Sequence, residues 1–525
     1  MLFNSYEFIL LFLPLTLIVF FKLGRLGYQS VSISWLVLAS FFFYAWWNPA
    51  YLLLILFSII FNYSIGIILT NNLVRSSISN RLLLVFGISC NLGLIGYFKY
   101  FNFFASNANT FLGSSFSLEE IILPLAISFF TFQQITYLVD AYQGKTKEYN
   151  FLHYCLFVTF FPQLIAGPIV HHREMLPQFE QKSIYTFNYE NFTIGLTIFI
   201  IGLFKKVVIA DGVANYSTPV FDASVVGVTL TFYEAWIGAL AYSFQLYFDF
   251  SGYSDMAIGL ARMFGILLPL NFHSPYKANN IIDFWGRWHM TLSRFLRDYV
   301  YIPLGGNRKG VARRYVNLMC TMLLGGLWHG AGWTFVIWGA VHGFYLAINH
   351  AWRKLTSKFI SEKYLNSKIN IFIMRGITFF AVVISWVIFR AEDMSSASSI
   401  LSSMFGFNGI PLPTFFKNIL NNMDMPIFLT GLQYGELIDR SYFEPGKALI
   451  WLSVLFFAVH FLPNTQQIMN RYSPALGIEK WKSENVKNNW WDWQPVKRWS
   501  VIVSILAILA LLNLTQVSEF LYFQF

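Results

Sequence analysis

Apolar runs long enough to bury themselves in lipid recur from one end of this chain to the other. "FILLFLPLTLIVFF" occupies 8–21, "LLLILFSIIFNYSIGIILT" 52–70 and "VIVSILAILALLNL" 501–514. A single signal peptide or anchor leaves most of these runs unexplained. The bilayer is the solvent of such a chain. Composition agrees: 56% of residues are hydrophobic and 12% charged, against about one quarter charged in soluble domains. The expected fold is therefore all-α and multi-pass, with about 11 to 14 apolar segments, some of them re-entrant or interfacial rather than spanning.

The net charge of +10 does not point to nucleic acid. There is no separate basic domain, and excess Lys and Arg in cytoplasmic loops accounts for it. Lys22 and Arg25 follow the first run, Arg75 and Arg81 the third, Lys145 and Lys147 the fifth; the connections between carry no cation or only Lys99. This alternation puts the N-terminus outside. Toward the other end, 351–370 holds five Lys/Arg against one acid, 391–446 two against six, and 463–499 six against three, which reads inside, outside, inside. Cys90, Cys155 and Cys320 form no CxxC pair and lie in or beside apolar segments, as packing residues do.

The stretch 251–314 differs, with nine Lys/Arg, three acids, many aromatics and no clean apolar span. Placed on a helix, "DFWGRWHMTLSRFLRDY" (283–299) puts Trp285, Trp288, Leu292, Phe295 and Tyr299 on one face and Arg287, Arg294, Arg297 and Asp298 on the other. His289 and Ser293 fall at the border. The expectation is one amphipathic helix, in-plane or lining a funnel, ended by Pro303, Gly305 and Gly306.

His329 lies in "GGLWHGAGWTF" (325–335). The segment entering it begins at Arg313 and Arg314, and fifteen residues of helix advance roughly 22 Å, so the imidazole sits deep in the membrane. Four glycines around it imply close helix approach or backbone open to a cavity. Trp333 shares its face if the helix continues. Ionisable groups at such depth are usually functional, and a neutral imidazole can accept the proton of a hydroxyl, as acyl transfer to an alcohol requires.

Other polar groups carry less. His171, His172, Arg173 and Glu174 ("HHRE") bring imidazoles and a carboxylate together in what the charge pattern makes an outer loop, without a metal-ligand spacing. Asp249 and Asp255 in "FDFSGYSD" suit either a proton relay or hydrogen bonds to hydroxyls and amides of facing helices; Tyr253, Ser254 and Asn271 join the same polar seam. Ser293, four residues after His289, lacks an orienting acid at suitable spacing.

An ordered set of motifs resembles the membrane-bound O-acyltransferases, and within them the bacterial branch of alginate O-acetylation proteins. It comprises "FFPQLIAGPIVHHREMLPQF" (160–179), "YFDFSGYSDMAIGLARMFG" (247–265), "NFHSPYKANNIIDFWGRWHMTLSRFLRDYVYIPLGGNR" (271–308), "LLGGLWHGAGWTFVIWGAVHG" (323–343) and "FRAEDMSSASSILSSMFG" (389–406). The resemblance implies a helical funnel, with the family's histidine on His329 and its second histidine on His289. It also implies transfer of an acyl group, usually acetyl, from a cytoplasmic thioester such as acetyl-CoA to an extracytoplasmic hydroxyl. Arg287, Arg294 and Arg297, with Arg308 and Lys309, offer charge for the donor's phosphates, and Trp333 is a further donor-side candidate. No metal is called for. The acceptor is expected to be an exopolysaccharide such as alginate, reached directly or through a periplasmic acetyltransferase partner; peptidoglycan O-acetylation and D-alanyl transfer to teichoic acid are alternatives. A proton-coupled transporter is the alternative of another class, although the halves show no internal symmetry. The expected home is the bacterial inner membrane, with 1–120 as leading helices, 121–395 as catalytic core and 396–525 as an extension carrying an outer acidic loop, an inner basic loop and two spans.

Overall fold

The computed structural model describes residues 1–71, 77–113, 121–146, 150–359, 367–410, 444–481, 489–514 and 520–521. Arg75, Lys147, most of the acidic loop and the middle of the last basic loop lie outside them. The described chain is helical, and its isolated β-bridge joins Pro269 to Leu476.

Among the described residues five helices are long and apolar enough to cross a bilayer: Glu7–Arg25, Ala50–Thr70, Ile78–Leu112, Tyr189–Val225 and Lys368–Arg390. Gln29–Ala45 and Pro445–Phe461 are shorter and also apolar. Their outward side chains are large and apolar: Leu11 is 71% exposed, Leu53 73% and Phe57 64%. Such surface is at home against lipid tails, which is the physical sense in which this is a membrane protein.

The chain forms two units. The first comprises Met1–Phe204, Ser251–Asn271 and Thr465–Gln524. Phe8, Phe12, Phe43 and Phe161 interlock in its core, with Phe12 edge-on to Phe161 at 5.3 Å. Apolar packing gains little over lipid contact, so the unit also uses polar pairs and small residues. Asn62 and Asn91 exchange amide hydrogen bonds of 3.2 and 2.6 Å, and Gln134 donates to Ser58 at 2.8 Å. A Cβ on Gly195 would meet the Gly259 carbonyl, and one on Gly202 the Gly252 carbonyl, so these helices touch backbone to backbone. Asp255 accepts from Thr465 Oγ1 at 2.6 Å and Gln466 Nε2 at 3.0 Å, the hydroxyl-and-amide role read from the sequence.

The HHRE motif also belongs to this unit, and local structure employs it. His171 caps the helix His172–Phe179, with Glu174 closing the capping box, and His172 Nδ1 lies 3.6 Å from Asp140.

The second unit comprises Lys205–Phe250 and Phe272–Asn464, and holds every residue of the site below. Within it Asp249 has a partner the sequence reading did not name: Lys206, at 2.7 Å, which also contacts Asp211 at 2.8 Å. Lys206 and Asp249 are almost completely buried, so a buried ion pair contributes to holding this carboxylate. Within the same unit Ser217 donates to Gln245 at 2.5 Å.

Candidate active site

The helix Gly310–His329 ends on the candidate base itself. Gly330 is extended, and the next helix, Trp333–Phe359, turns back along the first. The two lie so close that a Cβ on Gly326 would strike the Phe335 carbonyl, and one on Gly339 the Met322 carbonyl. At Gly330 a Cβ would strike the Phe335 ring. The glycines thus act through close helix approach, and the break between the helices fixes where His329 points.

His329 is 6% exposed. Its ring lies 4.8 Å from Trp328, 5.1 Å and perpendicular to Trp338, and 5.2 Å from Phe389, centroid to centroid. It also stands at the carbonyl end of its helix, whose partial negative charge has the right sign for a ring that takes up a proton. Because the helix does not continue, Trp333 does not share the face of His329: it opens the next helix and is 56% exposed. Trp338 takes the place expected of it.

The amphipathic stretch is not one helix. Asn280 caps a short helix, Ile281–Trp285, by accepting from Asp283 N. The chain turns at Gly286, His289 adopts φ 41°, ψ 52°, and a second short helix, Met290–Leu296, runs into a π-helical turn, Arg297–Tyr301. The stop at 303–306 is as expected, with Gly305 at φ 112° and Gly306 at φ 51°. A left-handed conformation at a residue with a side chain costs on the order of 1–3 kcal/mol and recurs where a site holds a group in place. His289 is consequently fully buried rather than at a helix border. Phe250 meets it edge-on at 4.8 Å and Trp328 at 5.9 Å. His289 lies outside the five apolar spans; burial pushes its imidazole down to about 3, so the ring is neutral near neutral pH. Ser293 Oγ makes no hydrogen bond among the described residues, so no serine–histidine pair forms there.

Trp328 therefore separates the two predicted histidines, and the row continues past them. Trp338 is 4.7 Å from a third imidazole, His342, also fully buried. His342 lies in the stretch 323–343 and is a site residue the sequence reading does not single out. Its Nε2 is 3.0 Å from Ser385 Oγ, and Trp285 and Phe284 flank it at 5.2 and 6.2 Å. The available signal was its spacing, four residues after Trp338 and on the same helix face.

The proposed donor-side cations are distributed differently. Arg287 Nε bonds Asp283 at 2.7 Å, and its Nη1 reaches the His273 carbonyl at 3.4 Å. Arg297 grips the neighbouring Asp298 with two bonds of 2.7 and 3.2 Å. Arg294 is half-buried, and Arg308 and Lys309 are exposed. Arg287 and Arg297 each already hold a carboxylate, which weakens the field they present to an anion. Among the described residues no group of three His, Cys, Asp or Glu side chains is placed to hold a metal ion.

A helical membrane chain with imidazoles enclosed by aromatic rings has the means to move a proton away from water, the requirement for acyl transfer to a hydroxyl. The chain belongs to the MBOAT, membrane-bound O-acyltransferase family, whose profile matches residues 76–389. It is accordingly an O-acyltransferase, and the transporter reading is set aside. It is 48% identical over 458 residues to a peptidoglycan O-acetyltransferase of Helicobacter pylori, covering 81% of this chain and 85% of that protein. A probable alginate O-acetylase AlgI of Pseudomonas putida is 37% identical over 540 residues, covering both chains completely. A teichoic acid D-alanyltransferase of Bacillus subtilis is 31% identical over 283 residues, covering 51% of this chain and 67% of that one.

Proposed function

We propose that this enzyme moves an acetyl group from a cytoplasmic thioester, acetyl-CoA or a related donor, to a hydroxyl of a cell-envelope glycan outside the inner membrane. The observation that carries the catalytic part is the enclosure of His329 at the end of its helix among Trp328, Trp338 and Phe389. As the acceptor oxygen forms the ester C–O bond, its proton passes to His329 and the thioester C–S bond breaks, leaving a thiolate that takes up a proton. His289 positions the donor or handles that proton. Arg287, Arg294, Arg297 and Trp333 remain donor-side candidates, with the two carboxylate-paired arginines the weaker ones.

O-acetylation is common to the relatives at 48% and 37% identity, a peptidoglycan O-acetyltransferase and a probable alginate O-acetylase. An exopolysaccharide such as alginate is the reading favoured by full-length coverage, with a periplasmic acetyltransferase as a partner that relays the group. Peptidoglycan is the second reading, favoured by the higher identity. Mass spectrometry of both glycan fractions from strains with and without this gene separates them: acetyl ester lost from one fraction identifies it, and loss from neither overturns glycan acetylation.

A further inference from the structure

Within the second unit a cavity of about 300 Å³ opens between the helices Trp333–Phe359 and Lys368–Arg390 and the loop that leads to Ile281. Its walls are largely apolar, formed by Ile281, Ile348, Met374, Ile377 and Ala381. Around the mouth the surface is apolar too: Ile348 and Trp352 are each 50% exposed and Ile377 58%. In a membrane protein such side chains face hydrocarbon, so the cavity opens to lipid tails.

One end is polar and cationic. Asn279 and Asn280 line it, and each amide oxygen is held by a guanidinium: Arg375 Nε and Nη2 reach Asn279 Oδ1 at 3.4 and 3.3 Å, and Arg353 Nη2 reaches Asn280 Oδ1 at 3.2 Å. Lys277 belongs to the same group. Burial first, then the charges of Arg375 and Arg287, hold its ammonium below its usual value. Against these four cations stands Asp283, bonded to Arg287. Arg353 and Arg375 thus grip neutral amide oxygens through long bonds, where a phosphate would offer shorter and stronger charge-assisted ones.

We propose that the cavity is a binding site for an anionic phospholipid, one acyl chain lying between the two helices and the phosphate bridging Arg353 and Arg375. Basic pockets between membrane helices suit acidic head groups on these grounds. The apolar walls and lipid-facing mouth favour a phospholipid over a water-soluble thioester. The cavity also touches the site already described, because Tyr345, in its wall, lies 5.6 Å from His342. The inference does not rest on the identity of the acyl donor or acceptor.

The test is native mass spectrometry of the purified full-length protein in a neutral detergent, titrated with dioleoyl phosphatidylglycerol or dioleoyl phosphatidylcholine. Wild type should prefer phosphatidylglycerol. At roughly fivefold per cation near a membrane surface, Arg353→Gln/Arg375→Gln should weaken that binding about thirtyfold and leave phosphatidylcholine unchanged. Ala381→Trp, which fills the cavity and keeps the cations, should abolish retention of both lipids there. Should the double variant fail to fold, Arg353→Gln alone, at an exposed side chain, should still cost about fivefold. Equal affinity of wild type and variants for phosphatidylglycerol would overturn the proposal. So would displacement of the lipid by acetyl-CoA with matching loss of acetyl-CoA binding in the variants, which would make the cavity a donor site.

Discussion

His342 donates a hydrogen bond to Ser385. Their Nε2 and Oγ atoms are 3.0 Å apart, and the serine hydroxyl gives its own proton to the Val382 carbonyl at 2.7 Å. The serine oxygen can therefore only accept, which places the imidazole proton on Nε2. The bond ties the helix Trp333–Phe359 to the helix Lys368–Arg390 beside Trp338, the ring that stands against His329.

Ser385→Ala should leave that N–H buried without an acceptor and cost about 1–3 kcal/mol, seen as a lower melting temperature. If His342 only fills space, His342→Phe should keep full turnover. If it positions Trp338, His342→Phe should lower kcat with donor binding retained, and His342→Gln, which keeps a donor, should recover part of it.

Gly325 and Gly326 are adjacent and both buried, yet they should respond oppositely to alanine. A Cβ on Gly325 meets only Leu296 Cδ1, at 3.1 Å, the far end of a flexible side chain. One on Gly326 meets the Phe335 carbonyl and the backbone of Gly339. Gly325→Ala should stay close to wild type in folded yield. Gly326→Ala should force the helices apart and lose most of it, as size-exclusion chromatography of the detergent-solubilised protein would show. Equal yields would mean the hairpin is not closed by backbone contact.

Lys206 sits between Asp211 and Asp249, 2.8 and 2.7 Å away. Removing one member of a buried ion pair is costly because the remaining charge stays unpaired, typically by about 3–5 kcal/mol. Lys206→Met should therefore express poorly, whereas Lys206→Met/Asp211→Asn/Asp249→Asn, free of charge, should recover much of the folded yield. If the triple variant folds well but transfers no acetyl, the cluster has a role beyond stability.

These contrasts show where the sequence was legible. The helix that runs into His329 and the stop at 303–306 follow from local pattern: a charged start, a helical spacing, a proline and glycines. The break at His289 was hidden because the buried set Trp288, Leu292 and Phe295 keeps helical spacing on both sides of it. His342 was passed over, and the cation beside Asp249 went unnamed, for one reason: their partners, Ser385 and Lys206, lie 43 residues away in the chain, beyond any periodicity.

Orientation follows from the charge alternation. In a background with Cys90, Cys155 and Cys320 replaced by serine, Asn408→Cys should react with an impermeant thiol reagent in intact spheroplasts, and Asn489→Cys only after lysis. Both asparagines are exposed. The opposite labelling would invert the topology and the direction of transfer with it.

The decisive substitution is His329→Gln, which keeps a hydrogen-bonding side chain of similar reach but cannot take up a proton near neutral pH. If the imidazole receives the acceptor's proton, acetyl transfer by the purified variant in nanodiscs should fall by roughly 10²- to 10⁴-fold, with acetyl-CoA binding unchanged. A histidine that merely packs between Trp338 and Phe389 predicts transfer near wild type. Loss of both binding and transfer, together with a lower melting temperature, would instead show that the break at Gly330 needs this ring to form, and the base would have to be sought elsewhere in the row, first at His289.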